Sequence, residues 1–118
     1  MIAVIFEAFP KAGKSDEYFD LAGQLRPELN KIRGFISIER FQSVNDPKKL
    51  LSLSFWKDEE CIAQWRNAEL HRHAQKKGRD FIFEDYRLRV ANVTRDYGMN
   101  HREEVPAEDR SFISKNEQ

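Results

Sequence analysis

The order in which hydrophobic spacing changes along the chain constrains the fold more than any other feature. Residues Ile2 to Phe9 are almost continuously apolar, which predicts a strand covered on both faces. From Ser15, the predicted N-cap, apolar side chains recur at helical spacing until Gly34. Two short apolar segments, residues 35–41 and 50–56, then lie close enough together to form a hairpin.

The second half of the chain continues this alternation. Asp58 is the predicted N-cap of a helical segment that breaks at Asn67-Ala68 and ends at Gly78. Alternating side chains then predict a fourth strand from Tyr86 to about Tyr97. The order strand, helix, strand, strand, helix, strand is the split βαβ, or ferredoxin-like, arrangement. The predicted fold class is therefore α+β with an antiparallel sheet.

A unit of this kind has helices on only one face of its sheet. The other face carries apolar side chains that must be covered, and the chain offers no third layer. The sequence therefore predicts a homodimer in which a second copy covers that face. The predicted domain spans residues 1–97, because the composition becomes strongly charged from Gly98. Residues 98–118 are predicted to form a polar tail that is either disordered or packed on the partner subunit.

Composition excludes several classes of partner and site. Lys plus Arg and Asp plus Glu both number 20, so no excess charge favours nucleic acid or an anionic membrane surface. No apolar run approaches the roughly 20 residues that cross a bilayer, and the first residues lack the basic region of a signal peptide. A single cysteine forms no internal disulfide and offers no zinc spacing. We therefore expect a cytoplasmic protein without a metal site.

Several short stretches resemble a known family. They are residues 54–60, the pairs Trp65-Arg66, His71-Arg72, Ala74-Gln75 and Gly78-Arg79, and residues 86–91. Together they resemble the antibiotic biosynthesis monooxygenase-like family, which belongs to the dimeric α/β barrel group. The resemblance implies a ferredoxin-like protomer and a homodimer with its two sheets packed face to face. Some members oxidise polycyclic aromatic or quinol substrates with O₂ and without metal or flavin, and close relatives degrade haem.

Three residues are candidates for the site. Trp65 either forms a pocket wall that stacks on a planar ligand or packs in the core. His71 is either a general base for a phenol or quinol proton, since its ordinary pKa is about 6.5, or a structural histidine. Asn92 either holds an oxygen intermediate or water, or is a buried amide bonded to the backbone. His73 projects about 200° around a helix from His71, which disfavours a two-histidine metal site.

These residues lead to one function and two alternatives. The leading hypothesis is a cofactor-independent monooxygenase that oxidises a small aromatic or quinol-like compound with O₂. The first alternative is a haem-binding, haem-degrading monooxygenase. The haem-degrading relatives use a first-strand Asn with a Trp and a His, and Ile2 to Phe9 contains no Asn. The second alternative is a non-catalytic dimer that binds a small molecule.

Overall fold

The computed structural model describes residues 1–107, which form one four-stranded sheet with helices on one side. The strand order is β2-β3-β1-β4, and every pair of neighbouring strands is antiparallel. This confirms the predicted α+β, ferredoxin-like class. The elements in chain order are β1 (Ile2–Pro10), α1 (Ser15–Leu29), β2 (Phe35–Gln42), β3 (Leu50–Trp56), α2 (Glu59–Asn67), α3 (Glu69–Lys77), a π-helical turn (Gly78–Ile82) and β4 (Phe83–Asn92).

The register of the strands defines two faces of the sheet. Directly opposed residues share a face, so the pairing of Ile2 with Trp56 and of Phe6 with Ser52 places these side chains together. We call their side, on which the helices pack, the covered face. On β3 the alternate residues from Leu50 to Trp56 are buried on this face, as the predicted alternation requires. Leu51, Leu53 and Phe55 are partly exposed on the opposite side, which we call the open face.

Two apolar clusters hold the helices on the covered face. In the first, Trp56 and Trp65 pack with Leu29 and Cys61, and Ile2 contacts this group from β1. The second cluster is built from Tyr18, Leu50 and Ile82, with Phe6 and Phe83 against it. Each cluster therefore joins a helical segment to the central strands.

The start of α2 confirms a sequence prediction, and the start of α1 corrects one. The Asp58 side chain accepts a hydrogen bond from the Cys61 backbone N–H at 3.0 Å, so Asp58 caps α2 as predicted. Ser15 was predicted to cap α1 but is its first helical residue. Lys14 stands at the cap position, and among residues 1–107 its side chain makes no capping hydrogen bond. Lys14 instead pairs with Glu17 at 3.0 Å.

The bounds of β4 also differ from the prediction. Gly78 was expected to end the helical segment, but it has right-handed helical angles (φ −60°, ψ −52°) and leads into the π-helical turn. This turn brings Phe83 directly onto the sheet, so the strand begins before Tyr86. The strand ends at Asn92, short of Tyr97, because Asn92 already pairs with Ile2, the first residue of β1. One further backbone hydrogen bond follows the strand, from the Val93 N–H to the Met1 carbonyl oxygen at 3.0 Å.

No helix within residues 1–107 combines the length and apolar character that a membrane crossing requires. The predicted boundary between domain and tail stays a prediction, and residues 108–118 of that tail lie outside the described residues.

Candidate functional site

The rings of Trp65 and His71 stack on each other between α2 and α3. Their centroids lie 4.4 Å apart and their planes are inclined by 19°. The contact depends on the break between the two helices: Ala68 has an extended conformation, with its N–H bonded to the Trp65 carbonyl at 3.1 Å. This break allows the first turn of α3 to fold back over the end of α2. The predicted break at Asn67-Ala68 is thus confirmed, and it assembles two of the three candidate residues.

A hydrogen bond fixes the orientation of the His71 ring. Nδ1 lies 3.1 Å from the Trp65 carbonyl oxygen. Because a carbonyl oxygen only accepts, Nδ1 carries the proton and donates it, and in the neutral ring Nε2 keeps its lone pair. Burial lowers the pKa of His71, and the bond to the Trp65 carbonyl opposes this effect. The ring is therefore neutral near pH 7, with Nε2 as the nitrogen that can accept a proton.

His73 occupies a different environment. It is exposed on α3, whereas His71 is partly buried. This agrees with the predicted separation of the two rings around the helix and provides a matched control for His71. Among residues 1–107, no group of three or more His, Cys, Asp or Glu side chains is arranged to hold a metal ion.

On the covered face, β4 presents a row of exposed apolar side chains. Tyr86, Leu88 and Val90 pair with Ala8, Phe6 and Val4, which places them on the covered face. Nevertheless, Tyr86 is 44% exposed, Leu88 50% and Val90 44%. Within residues 1–107, the helices therefore leave this edge of the sheet uncovered. We call the surface formed by Tyr86, Leu88 and Val90 the β4 groove.

The stacked pair and the β4 groove lie on the same side of the sheet. Val4, the β1 partner of Val90, packs against the cluster that contains Trp65. The groove therefore runs from the Trp65 end of the sheet, at Val90, towards Tyr86. At the opposite end, Tyr86 contacts Phe6 with ring centroids 5.6 Å apart. An apolar surface and a neutral imidazole on the same side of one sheet are features that suit a hydrophobic ligand with one acidic hydroxyl.

Asn92 lies at the Trp65 end of the β4 groove but is exposed. It pairs with Ile2 on the covered face, and Ile2 packs against the Trp65 cluster. The side chain is not enclosed among residues 1–107, so the interpretation of Asn92 as a buried amide does not apply. Its role in holding an oxygen intermediate or water stays a prediction.

The sequence interpretation missed Leu88 and Val90 as parts of the site. Their alternation with Arg87 and Arg89 was visible and correctly indicated a strand. The alternation could not show that the helices stop short of β4, because that depends on where α2 and α3 pack.

Comparison with known proteins identifies the class. The model of the antibiotic biosynthesis monooxygenase family matches residues 1–77, and the chain belongs to this family. This confirms the family that the sequence resemblance indicated. The solved structure of a Mycobacterium tuberculosis protein shares the fold with a TM-score of 0.73 at 11% identity, covering 82% of this chain and 98% of that one.

Two curated proteins are similar to this chain in sequence. Jasmonate monooxygenase ABM from Pyricularia oryzae is 46% identical over 109 residues, which is 92% of this chain. The chain spans about half the length of that relative, 51%. The uncharacterized protein YqjZ from Bacillus subtilis is 29% identical over 93 residues, 79% of each chain.

Proposed function

We propose that this protein is a monooxygenase that oxidises a small aromatic or quinol-like compound with O₂, without a metal or an organic cofactor. The observation that carries the proposal is the stacked Trp65–His71 pair, with the His71 Nδ1 proton bonded to a carbonyl oxygen and Nε2 left as the base. Membership of the family supports the reaction class. The name of the Pyricularia oryzae relative, a jasmonate monooxygenase, supports it as well.

His71 would start the reaction by removing a proton. Nε2 accepts the hydroxyl proton of a phenol or quinol bound over the β4 groove, and the Trp65 carbonyl stabilises the resulting imidazolium through Nδ1–H. The substrate becomes an electron-rich anion. Such an anion passes an electron to O₂ directly, and the two radicals combine to form a C–O bond.

This oxidation needs no external reductant. For an anthrone-type substrate, a ring CH₂ and O₂ give a ring C=O and water. One oxygen atom enters the product, the other leaves as water, and all the electrons that O₂ needs come from the oxidised carbon. His71 returns its proton to the departing oxygen, so the enzyme ends the cycle unchanged.

Oxygen uptake with paired histidine variants tests this function. Wild-type protein, His71→Ala and His73→Ala are assayed with anthrones and quinols as candidate substrates. General-base catalysis contributes about 10²- to 10⁴-fold. We therefore expect His71→Ala to lose about 100-fold or more in kcat/KM, and His73→Ala to keep the wild-type value. Equal activities in both variants, or no oxygen uptake with any compound, would contradict the proposal.

Haem binding is the second candidate function. A neutral imidazole whose Nδ1 is already bonded matches the usual state of a histidine metal ligand, so His71 Nε2 would bind the iron. Bound haem would supply the oxygen-activating chemistry. Titrating the protein with haemin while recording the Soret band separates the two candidates. A Soret shift that His71→Ala abolishes favours haem, and an unchanged spectrum eliminates it.

We also propose that two copies associate through the open face. Leu51, Leu53 and Phe55 are partly exposed there, next to Ile5 of β1. A row of aliphatic and aromatic side chains on one sheet face is most simply covered by the same row of a second copy. Sedimentation velocity at micromolar concentration should show a dimer.

A charged substitution on the open face tests whether this face forms the dimer interface. We expect Leu53→Glu to sediment as a monomer, because two like charges would meet at the interface. Val44→Glu is the matched control, since Val44 is 98% exposed. A wild-type protein that sediments as a monomer would refute the dimer.

A further inference from the structure

A cleft of about 320 Å³ lies between the start of α1 and the hairpin formed by β2 and β3. Its lining includes Phe19, Arg40, Lys48 and Leu50. Leu50 begins β3, whereas Trp56, which packs against Trp65, ends it. Six residues of extended strand span roughly 20 Å. The cleft is therefore a separate site at the other end of the sheet from the Trp65–His71 pair.

Hydrogen bonds hold the hairpin side of the cleft in place. The Gln42 side-chain amide donates to the Pro47 carbonyl oxygen at 2.8 Å, which ties the end of β2 to the loop. The Ser43 hydroxyl accepts from the Asp46 N–H at 3.1 Å, and the Asp46 carboxylate accepts from the Lys48 N–H at 3.0 Å. The backbone that carries Lys48 is thus fixed before any ligand arrives.

The charged side chains that line the cleft are both cationic. Arg40 donates through Nε to the Tyr18 hydroxyl at 3.3 Å, and its guanidinium lies 5.8 Å from the centre of the Tyr18 ring. This contact uses one edge of the guanidinium and orients its terminal NH₂ groups. Within residues 1–107, neither Arg40 nor Lys48 forms an ion pair with a carboxylate. Two cations that share one cleft without an acidic partner favour an anion.

The remaining walls are apolar. Leu50 is 8% exposed, and the ring of Phe19 is 47% exposed. A volume of 320 Å³ is at the small end of the range for small-molecule sites, so the cleft suits a compact ligand rather than a polymer. The planar guanidinium of arginine matches the geometry of a carboxylate.

We propose that this cleft binds a small apolar carboxylate. Arg40 and Lys48 contact the carboxylate, and Phe19 and Leu50 contact the apolar body. The proposal does not depend on the function proposed for His71, because the two sites share no residue.

A titration followed by ¹H–¹⁵N NMR of the whole protein tests the site, with 2-naphthoate as the probe and the neutral 2-naphthamide as its matched control. We expect 2-naphthoate to shift the amide signals of Phe19, Phe41 and Lys48 saturably. We also expect it to bind at least about tenfold more tightly than the amide, since hydrogen bonds to charged groups are worth about 1.5–3 kcal/mol. Equal affinities, or shifts confined to residues around Trp65 and His71, would overturn the proposal.

Single substitutions test which of the two cationic side chains binds the carboxylate. Lys48→Met should weaken 2-naphthoate binding about two- to fivefold, the range of an exposed ion pair, and Arg40→Met about tenfold or more. Lys76→Met removes an exposed lysine on α3 and should leave the affinity unchanged, as should His71→Ala. If Arg40→Met fails to fold, Lys48→Met alone decides the test, and an affinity equal to that of Lys76→Met would refute the site.

Discussion

The β3 and β4 sides of the covered face differ in a way that side-chain polarity alone would not predict: polar residues are buried on β3, and apolar residues are exposed on β4. On β3, Ser52 and Ser54 are only 8% and 5% exposed, while on β4 Leu88 is 50% exposed and Val90 44%. Both pairs lie on the same side of one sheet. The position of the helices therefore decides which residues are buried, and it leaves the more apolar half uncovered.

The difference separates a structural region from a binding region. Under the helices, the Ser54 hydroxyl accepts a hydrogen bond from the Trp56 indole N–H at 2.9 Å, so the buried polar group is satisfied. On β4, no helix within residues 1–107 covers the exposed Leu88 and Val90. Contiguous exposed apolar surface marks places where a ligand or partner binds. We therefore expect the β3 half to contribute stability, and the β4 half is the proposed ligand-binding region.

Truncating one side chain from each half should change the free energy of unfolding by very different amounts. Trp56 is 2% exposed, and Trp56→Ala should lower the free energy of unfolding by about 3–5 kcal/mol, because it removes a buried aromatic ring and leaves a cavity. Leu88→Ala should lower it by about 1 kcal/mol or less, the range for surface positions. Urea denaturation of both variants measures this contrast. Similar losses would show that the β4 groove belongs to the core.

Two glycines with positive φ test how tightly the helix-covered region is packed. Gly34 has φ +94° and Gly13 has φ +77°, so alanine is strained by about 1–2 kcal/mol at either position. At Gly34 an added methyl group would also collide with the Cys61 sulfur, whereas no atom of residues 1–107 lies within 4 Å at Gly13. We expect Gly34→Ala to lower the free energy of unfolding by about 1–3 kcal/mol more than Gly13→Ala does. Equal losses would mean that the packing around Cys61 is loose.

The order of helices and strands was easier to predict from the sequence than the geometry of the Trp65–His71 pair. Apolar periodicity and the Asp58 cap predicted the order of elements correctly, because both signals are local. The start of β4 was missed because a π-helical turn has no distinct pattern in Gly78 to Ile82. The stacking of His71 on Trp65 and the Nδ1 bond join residues across a helix break, so spacing alone could suggest the pair but not its geometry.

The smallest effect concerns the pH dependence of stability. Burial lowers the pKa of His71 in the folded protein, so the unfolded chain, with an ordinary histidine pKa of about 6.5, takes up a proton at higher pH. The stability that this ring contributes is complete above the unfolded pKa and is lost as the pH falls through the folded pKa.

Urea denaturation at a series of pH values from about 7.5 down to 5 measures this dependence. Wild-type protein and His73→Ala should lose stability more steeply towards low pH than His71→Ala. Identical slopes for wild type and His71→Ala would contradict the lowered pKa.

The assignment of ligand binding to the β4 half can be tested directly by methyl NMR. Leu88 and Val90 report on the β4 groove, while Leu51 and Leu53 report on the open face of the same sheet. Anthrone, kept under nitrogen so that it is not oxidised, is titrated into methyl-labelled protein. We expect saturable shifts of the Leu88 and Val90 methyl signals, with the Leu51 and Leu53 signals unchanged. Shifts of Leu51 and Leu53 with Leu88 and Val90 unchanged would contradict it.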